Sequence, residues 1–133
     1  MRLLLDTHIW LWSRGGSNPN RLTRGVARAL ADSRNELWIS PVSIWEILGL
    51  CGKGRLKLKG GPVAWIAEAF VTVPYQEPPL TNDVVLATET FALPHGDPMD
   101  ALLVATAKYY DLTLVTADAK LLASKACKVL SNR

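Results

Sequence analysis

The sequence predicts an α/β fold with a mainly parallel central sheet and helices on both faces. Three observations carry that expectation. Short runs of strand length alternate with longer segments of helical spacing. The first of them, Arg2–Leu5, is a short apolar run of the kind a strand covered on both sides needs. The chain has 133 residues, 49% of them hydrophobic, which suits one domain with a sizeable core, residues 1–133, and excludes a disordered chain.

Arg2–Leu5 reads as a buried strand ending at Asp6. Arg14–Asn20 is a loop by its Gly-Gly-Ser-Asn-Pro content. Arg21–Arg34 places Leu22, Val26, Ala29 and Leu30 on one helical face beneath a basic outer side. Leu37–Ser40 is a second strand. Pro41–Cys51 is a helix, with Pro41 in its first turn and Gly52 at its end. Lys53–Gly61 is an irregular basic connector, and Pro62–Phe70 is a further helix. Val71–Tyr75 is expected as a third strand and Asn82–Leu93 as a helix capped by Thr81. A long helix over Asp97–Tyr110 leads into a strand, Leu112–Val115. A short helix, Asp118–Ser124, and a last strand, Lys128–Leu130, complete the alternation.

Several function classes are excluded early. No apolar run approaches the ~20 residues of a membrane helix. An acid at position 6 interrupts the opening apolar stretch too soon for a signal peptide. Two cysteines, Cys51 and Cys127, make no disulfide framework, so a reducing cytoplasm is the expected compartment. His8 and His95 have no partners at zinc-ligand spacing and are expected as loop or core residues, with proton transfer as the alternative.

The acids are more informative. In open α/β sheets, ligands sit beyond the carboxyl ends of the strands. Asp6 and Asp118 each stand just past an apolar strand, and each could equally cap the helix that follows. Glu46 lies in Val42-Ser43-Ile44-Trp45-Glu46-Ile47-Leu48, apolar in nearly every helical direction, so it is expected to be largely buried. A buried carboxylate needs a cation or a polar cavity. Asp97 and Asp100 open a helix as cap and capping-box acid around Pro98. Asp100 also shares a stripe with Leu103 and Val104 and should face inward, whereas Asp97 is assigned mainly to capping.

Taken together, Asp6, Glu46, Asp100 and Asp118 predict an acidic pocket. Oxygen donors without His or Cys suit a hard ion, Mg²⁺ or Mn²⁺. Thr116 would add a hydroxyl, and Thr7 and Asp97 are auxiliary candidates. With the four acids set aside, eight acidic residues face fifteen basic ones. A negative pocket in a basic surface suits a phosphodiester. Lys53, Arg55, Lys57 and Lys59 alternate with Gly54, Leu56 and Leu58, which in an extended segment would put four charges on one side. These residues and Arg14, Arg21, Arg24 and Arg28 are phosphate candidates, against the alternative of a solvated surface. Five tryptophans are expected mostly in the core or an interface.

These residues resemble the PIN-domain family, and within it the VapC-type toxins of toxin–antitoxin pairs. Leu4-Leu5-Asp6-Thr7-His8 is similar to the family's first strand and acid. Ser43-Ile44-Trp45-Glu46-Ile47 is similar to its Ser-x-x-Glu helix. Asp97-Pro98-Met99-Asp100 resembles the third motif and Leu114-Val115-Thr116-Ala117-Asp118 the last. The resemblance implies a PIN-like three-layer α/β/α sandwich and an Mg²⁺- or Mn²⁺-dependent endoribonuclease. It further implies a homodimer and a cognate antitoxin, with operator DNA bound only through the antitoxin. It matches the third acid to Asp100, with Asp97 auxiliary, and Thr116 to a hydroxyl supporting the metal shell. Ala101 stands where many relatives carry Arg, so any substrate-positioning role of that Arg must be filled elsewhere. Two other readings compete with this one. A haloacid-dehalogenase-like phosphatase normally has a second Asp two residues after the nucleophile, where this chain has His8. A non-catalytic nucleic-acid-binding module leaves Glu46 and the strand-end acids without a purpose.

Overall fold

The computed structural model describes residues 1–16, 21–93 and 96–133. Four strands alternate with helices: β1 (Arg2–Leu5), α1 (Thr7–Ser13), α2 (Arg24–Ala31), β2 (Glu36–Trp38), α3 (Pro41–Gly52), α4 (Pro62–Thr72), α5 (Asn82–Leu86), α6 (Pro98–Tyr109), β3 (Thr113–Thr116), α7 (Ala119–Ser124) and β4 (Val129–Ser131). A 3₁₀ turn over Ala87–Thr90 follows α5. The strands form one parallel sheet in the order β2-β1-β3-β4. The predicted fold class is therefore the observed one.

Side-chain alternation along the central strands sorts the core into two layers. Leu3 and Leu5 of β1 and Val115 of β3 pack with Ile9 and Trp10 of α1, Val26 of α2, Ile47 of α3 and Ala69 of α4. Leu4 and Leu114 point the other way, onto Leu103, Val104 and Ala107 of α6 and Leu121 of α7. Both faces of β1 are sealed, which explains its uninterrupted leucines. No helix among the described residues is long and apolar enough to cross a membrane.

Several boundaries differ from the expectation, each for a local reason. The helix expected over Arg21–Arg34 is confined to Arg24–Ala31. Thr23 Oγ1 caps it by accepting from Val26 N, and Asp32 ends it by turning its carboxylate onto Arg34. Val71–Tyr75 is not a strand. Helix α4 runs on to Thr72, with Val71 87% exposed. Only Gln76 pairs with β2, through Ile39 N to Gln76 O (3.0 Å) and Gln76 N to Leu37 O (2.8 Å). Pro74 has no N–H to extend that pairing. Helix Asn82–Leu93 is cut short, its end tightening to 3₁₀ geometry where Thr88 and Thr90 hydroxyls donate to the carbonyls of Val85 and Ala87. Thr81 does cap α5, accepting from Val84 N at 3.4 Å.

The basic connector is not one extended ribbon. Leu56 and Leu58 pack onto the α1 side of the core. Turns with positive φ at Gly54 (+71°) and Gly60 (+81°) fold the segment back on itself. The four charges are therefore split between the two turns.

Candidate active site

The carboxyl ends of β1 and β3 lie side by side, because Leu5 is in register with Val115 and Asp6 N donates to Val115 O at 3.0 Å. That register sets Asp6 beside Thr116. Thr116 Oγ1 donates to Asp6 Oδ2 at 2.7 Å and accepts from Asp118 N at 3.0 Å. One buried hydroxyl thus ties both strand-end acids together. The other carboxylate oxygen of Asp6 accepts from Thr7 N at 2.8 Å, so the capping role and the site role coexist in one side chain. Asp118 likewise caps α7 through Lys120 N at 2.8 Å.

Asp6 is electrostatically unusual. Burial pushes its carboxyl up from 3.8 to about 6. The hydrogen bonds from Thr116 and Thr7 oppose the rise, and the charges of Asp100 and Glu46 add to it. Glu46 and Asp100 therefore both act on Asp6, and the backbone of the fourth acid, Asp118, donates to the same Thr116 hydroxyl. Asp6 and Asp118 line a groove of about 400 Å³ with His8, Trp12, Arg21, Lys120 and Arg133.

Glu46 is half-buried, not largely buried as expected. The reason is that α3 is not covered all round: Trp45 is 65% exposed and Leu48 38% exposed. Its apolar sequence marks an uncovered face as well as a core face. Ser43, one turn before Glu46, is fully buried and accepts from Thr7 Oγ1 at 2.9 Å. Thr7 is thus a strut between α1 and α3, joining the elements that carry Asp6 and Glu46. Asp100 is half-buried on the first turn of α6. Asp97 is exposed and caps α6, accepting from Met99 N at 2.9 Å.

The donor chemistry fits a hard divalent ion: carboxylates of Asp6, Glu46, Asp100 and Asp118, with a hydroxyl at Thr116. The raised carboxyl of Asp6 fits as well, since a cation would favour its charged form. Among the described residues, however, no three His, Cys, Asp or Glu side chains already stand as a closed ligand cluster.

The phosphate candidates fall in different places. Arg21 is in the acidic groove. Arg14, Lys57 and Lys59 line a separate cavity of about 770 Å³ with Trp65 and Glu68. Lys53 and Arg55 lie outside both, exposed around the Gly54 turn. Arg24 and Arg28 are exposed on α2. His8 is exposed in the acidic groove, its ring 5.9 Å from Trp12, and His95 lies outside the described residues. Of the tryptophans, Trp10 and Trp12 are buried. Asn132 and Arg133 are not legible as site residues, because only the β3-β4 pairing brings them beside Asp118, whereas Lys120 is set there by the Asp118 cap of α7 and has no motif to mark it.

Known proteins sharpen the picture. The chain is 30% identical over 122 residues to ribonuclease VapC22 of Mycobacterium tuberculosis, covering 90% of this chain and 88% of that one. Its fold is similar to that of VapBC2 from Rickettsia felis, solved bound to a promoter DNA fragment (TM-score 0.69, 16% identity, 98% of each chain covered). It is equally similar to DNA-bound VapBC from Salmonella typhimurium (TM-score 0.69, 13% identity, 100% and 99% covered). The model of the PIN domain matches residues 3–126, a span that holds all four acids, β2, β3 and all of β1 but Arg2. With acids at its strand ends and that match over nearly its full length, the chain belongs to the PIN-domain family.

Proposed function

We propose that this protein is a divalent-metal-dependent endoribonuclease serving as the toxin of a toxin–antitoxin pair. The observation that carries the reading is the pair of strand-end acids, Asp6 and Asp118, tied through the Thr116 hydroxyl where the parallel strands end, with burial raising the Asp6 carboxyl. Such a group is costly to the fold and is characteristic of a site with chemistry to perform. The likeness to a protein named as a ribonuclease supports RNA as the substrate. The likeness to VapBC complexes supports a cognate antitoxin as partner, with operator DNA reached through it, and a homodimer is proposed with these.

In this reading Asp6, Glu46, Asp100 and Asp118 would hold Mg²⁺ or Mn²⁺. Bound there, the ion would supply a water of lowered pKa and neutralise charge on the phosphoryl oxygens. The protein's own work is orientation. Thr116 fixes Asp6 Oδ2 and the Asp118 backbone with one hydroxyl. Thr7 and Ser43 lock α1 to α3, so that Glu46 stays within electrostatic reach of Asp6. Glu46 or Asp118 would be the carboxylate that accepts a proton there. Asp97 remains a cap. The basic residues bind the phosphodiester backbone.

Two measurements test this. Calorimetric titration with Mn²⁺ should show binding that is lost in Asp6→Asn/Asp118→Asn; retained binding would remove the metal site. Purified protein free of antitoxin should cleave bulk RNA with Mg²⁺ and stop with chelator. Equal cleavage by Asp6→Ala would identify a contaminant, and turnover of para-nitrophenyl phosphate without RNA cleavage would favour a phosphatase.

A further inference from the structure

The acidic groove is lined by two arginines, of which only Arg21 is a phosphate candidate from sequence. Arg21 and Arg133 both line it, and both also line the smaller cavity that continues from it past Trp12 and Asn132. Each guanidinium is held in place. Arg21 lies over the Trp12 ring, 4.7 Å from its centroid. A guanidinium stacked this way keeps its N–H edge directed outward for a ligand. Arg133 spends Nε on the carbonyl of Ala117 at 2.8 Å, leaving its two terminal nitrogens as a fork next to Asp118. Among the described residues, no carboxylate lies within ion-pair distance of either guanidinium.

The segment bearing Arg21 is set by a single buried side chain. Asn132 is 5% exposed and its backbone N donates to Thr116 O at 2.9 Å, prolonging the β3-β4 pairing. Its side chain donates through Nδ2 to Arg21 O at 2.9 Å and accepts through Oδ1 from Thr23 N at 2.8 Å. Asn132 therefore spends both ends of its amide on the chain around Arg21. An ordinary surface arginine has no such support.

We infer that Arg21 and Arg133 form a two-pronged clamp for a backbone phosphate adjoining the one that is cut, and that Asn132 is its positioning residue. The clamp rests on the reading of this groove as the RNA site. Two forked donors, stacked or tethered and without acidic partners, match a phosphodiester's non-bridging oxygens better than a lysine would.

The test is binding of a fluorescein-labelled single-stranded RNA oligonucleotide, read by anisotropy in EDTA over a salt series. Arg21→Ala and Arg133→Ala should each weaken binding severalfold. Each should also reduce the slope of log affinity against log salt by about 0.7, the value of one single-strand phosphate contact. Arg→Lys at either site should keep the slope and lose part of the affinity. An unchanged slope in the double Ala variant overturns the clamp. Asn132→Ala should lower the slope as Arg21→Ala does, with no further loss when the two are combined. Full additivity would make Asn132 merely structural. If Asn132→Ala does not fold, as read by thermal melting, Asn132→Ser serves, since it adds no charge and still loses the amide donor to Arg21 O. The inference is separable from the ribonuclease reading. Wild type that binds RNA through the clamp without cleaving it under any metal sinks the nuclease and leaves the clamp. Normal cleavage with unaltered binding in the double variant sinks the clamp alone.

Discussion

Helix α1 has a different kind of hollow at each end. At its start, Asp6 and Asp118 line a groove of about 400 Å³ with cations along one side. At its end, some 12 Å further by helical rise, Arg14, Lys57 and Lys59 surround a cavity of about 770 Å³ with one acid, Glu68. The larger hollow is the better receptacle by volume and the poorer one by chemistry. Its cations are exposed lysines and one arginine, and its walls come from a connector and from α4. The smaller groove sits where parallel strands end, and its acids are fixed by hydrogen bonds from backbone and hydroxyl groups. Reaction is set by which groups are pre-positioned, while size and charge alone offer only adhesion.

The sharpest way to break this contrast is Asp6→Asn. RNA cleavage should fall by about 10²- to 10³-fold, the scale for losing one pre-positioned charged group, while RNA affinity in EDTA holds or improves. Cleavage at the wild-type rate would move the chemistry elsewhere.

The same residue predicts a pH signature in metal-free protein. Because the Asp6 carboxyl is raised from 3.8 to about 6 in the fold, the folded chain holds that proton more tightly than the unfolded chain. The stabilisation is complete below about pH 4 and is lost as pH rises through about 6. Denaturant unfolding of wild type, referenced to Asp6→Asn, should show a loss of up to about 3 kcal/mol between those limits. Mn²⁺ at pH 7 should restore stability to wild type and not to Asp6→Asn. A pH-independent difference between the two proteins would contradict the burial argument.

Thr116→Val removes the hydroxyl shared by the two strand-end acids and should destabilise the protein by about 1–3 kcal/mol. It should also lower cleavage by about 10- to 100-fold, as loss of a group orienting metal ligands does. Ser43→Ala should cost about 1–2 kcal/mol by stranding the buried Thr7 hydroxyl. Its effect on rate should be smaller than that of Thr116→Val, because it acts through Glu46 alone. The smallest effect is expected at the other hollow. Arg14→Ala or Lys57→Ala should raise KM a few fold, vanish at high salt and leave kcat unchanged. A large kcat loss there would erase the distinction between the two ends of α1.

The alternation of strands and helices was readable because β1 and β3 are buried on both faces, so their runs are unbroken. Asp6 and Asp118 were readable for the same reason: each is the first charge after such a run. Glu46 is legible in the sequence only in part. Its surroundings are apolar in sequence, yet Trp45 and Leu48 face outward, and a single chain cannot say which apolar face another surface covers. Val71–Tyr75 imitates a strand by composition, while the helix before it continues and Pro74 prevents further pairing. Asn132 and Arg133 carry no local pattern. Their place is set by the pairing of β4 with β3 and, for Asn132, by hydrogen bonds to Arg21 and Thr23 more than a hundred residues earlier, which no window of sequence contains.

The alignment of Leu5 with Val115 has a consequence for how the protein can vary. Adding or deleting one residue within β1 or β3 would turn Asp6 or Thr116 to the opposite side of the sheet, since successive side chains there point in opposite directions. Length changes are therefore forbidden in the two middle strands and best tolerated as insertions at the exposed Gly54 and Gly60 turns, which leave Leu56 and Leu58 against the core. Descendants of this chain can be lengthened at those turns, but the ends of the two inner strands must be inherited together.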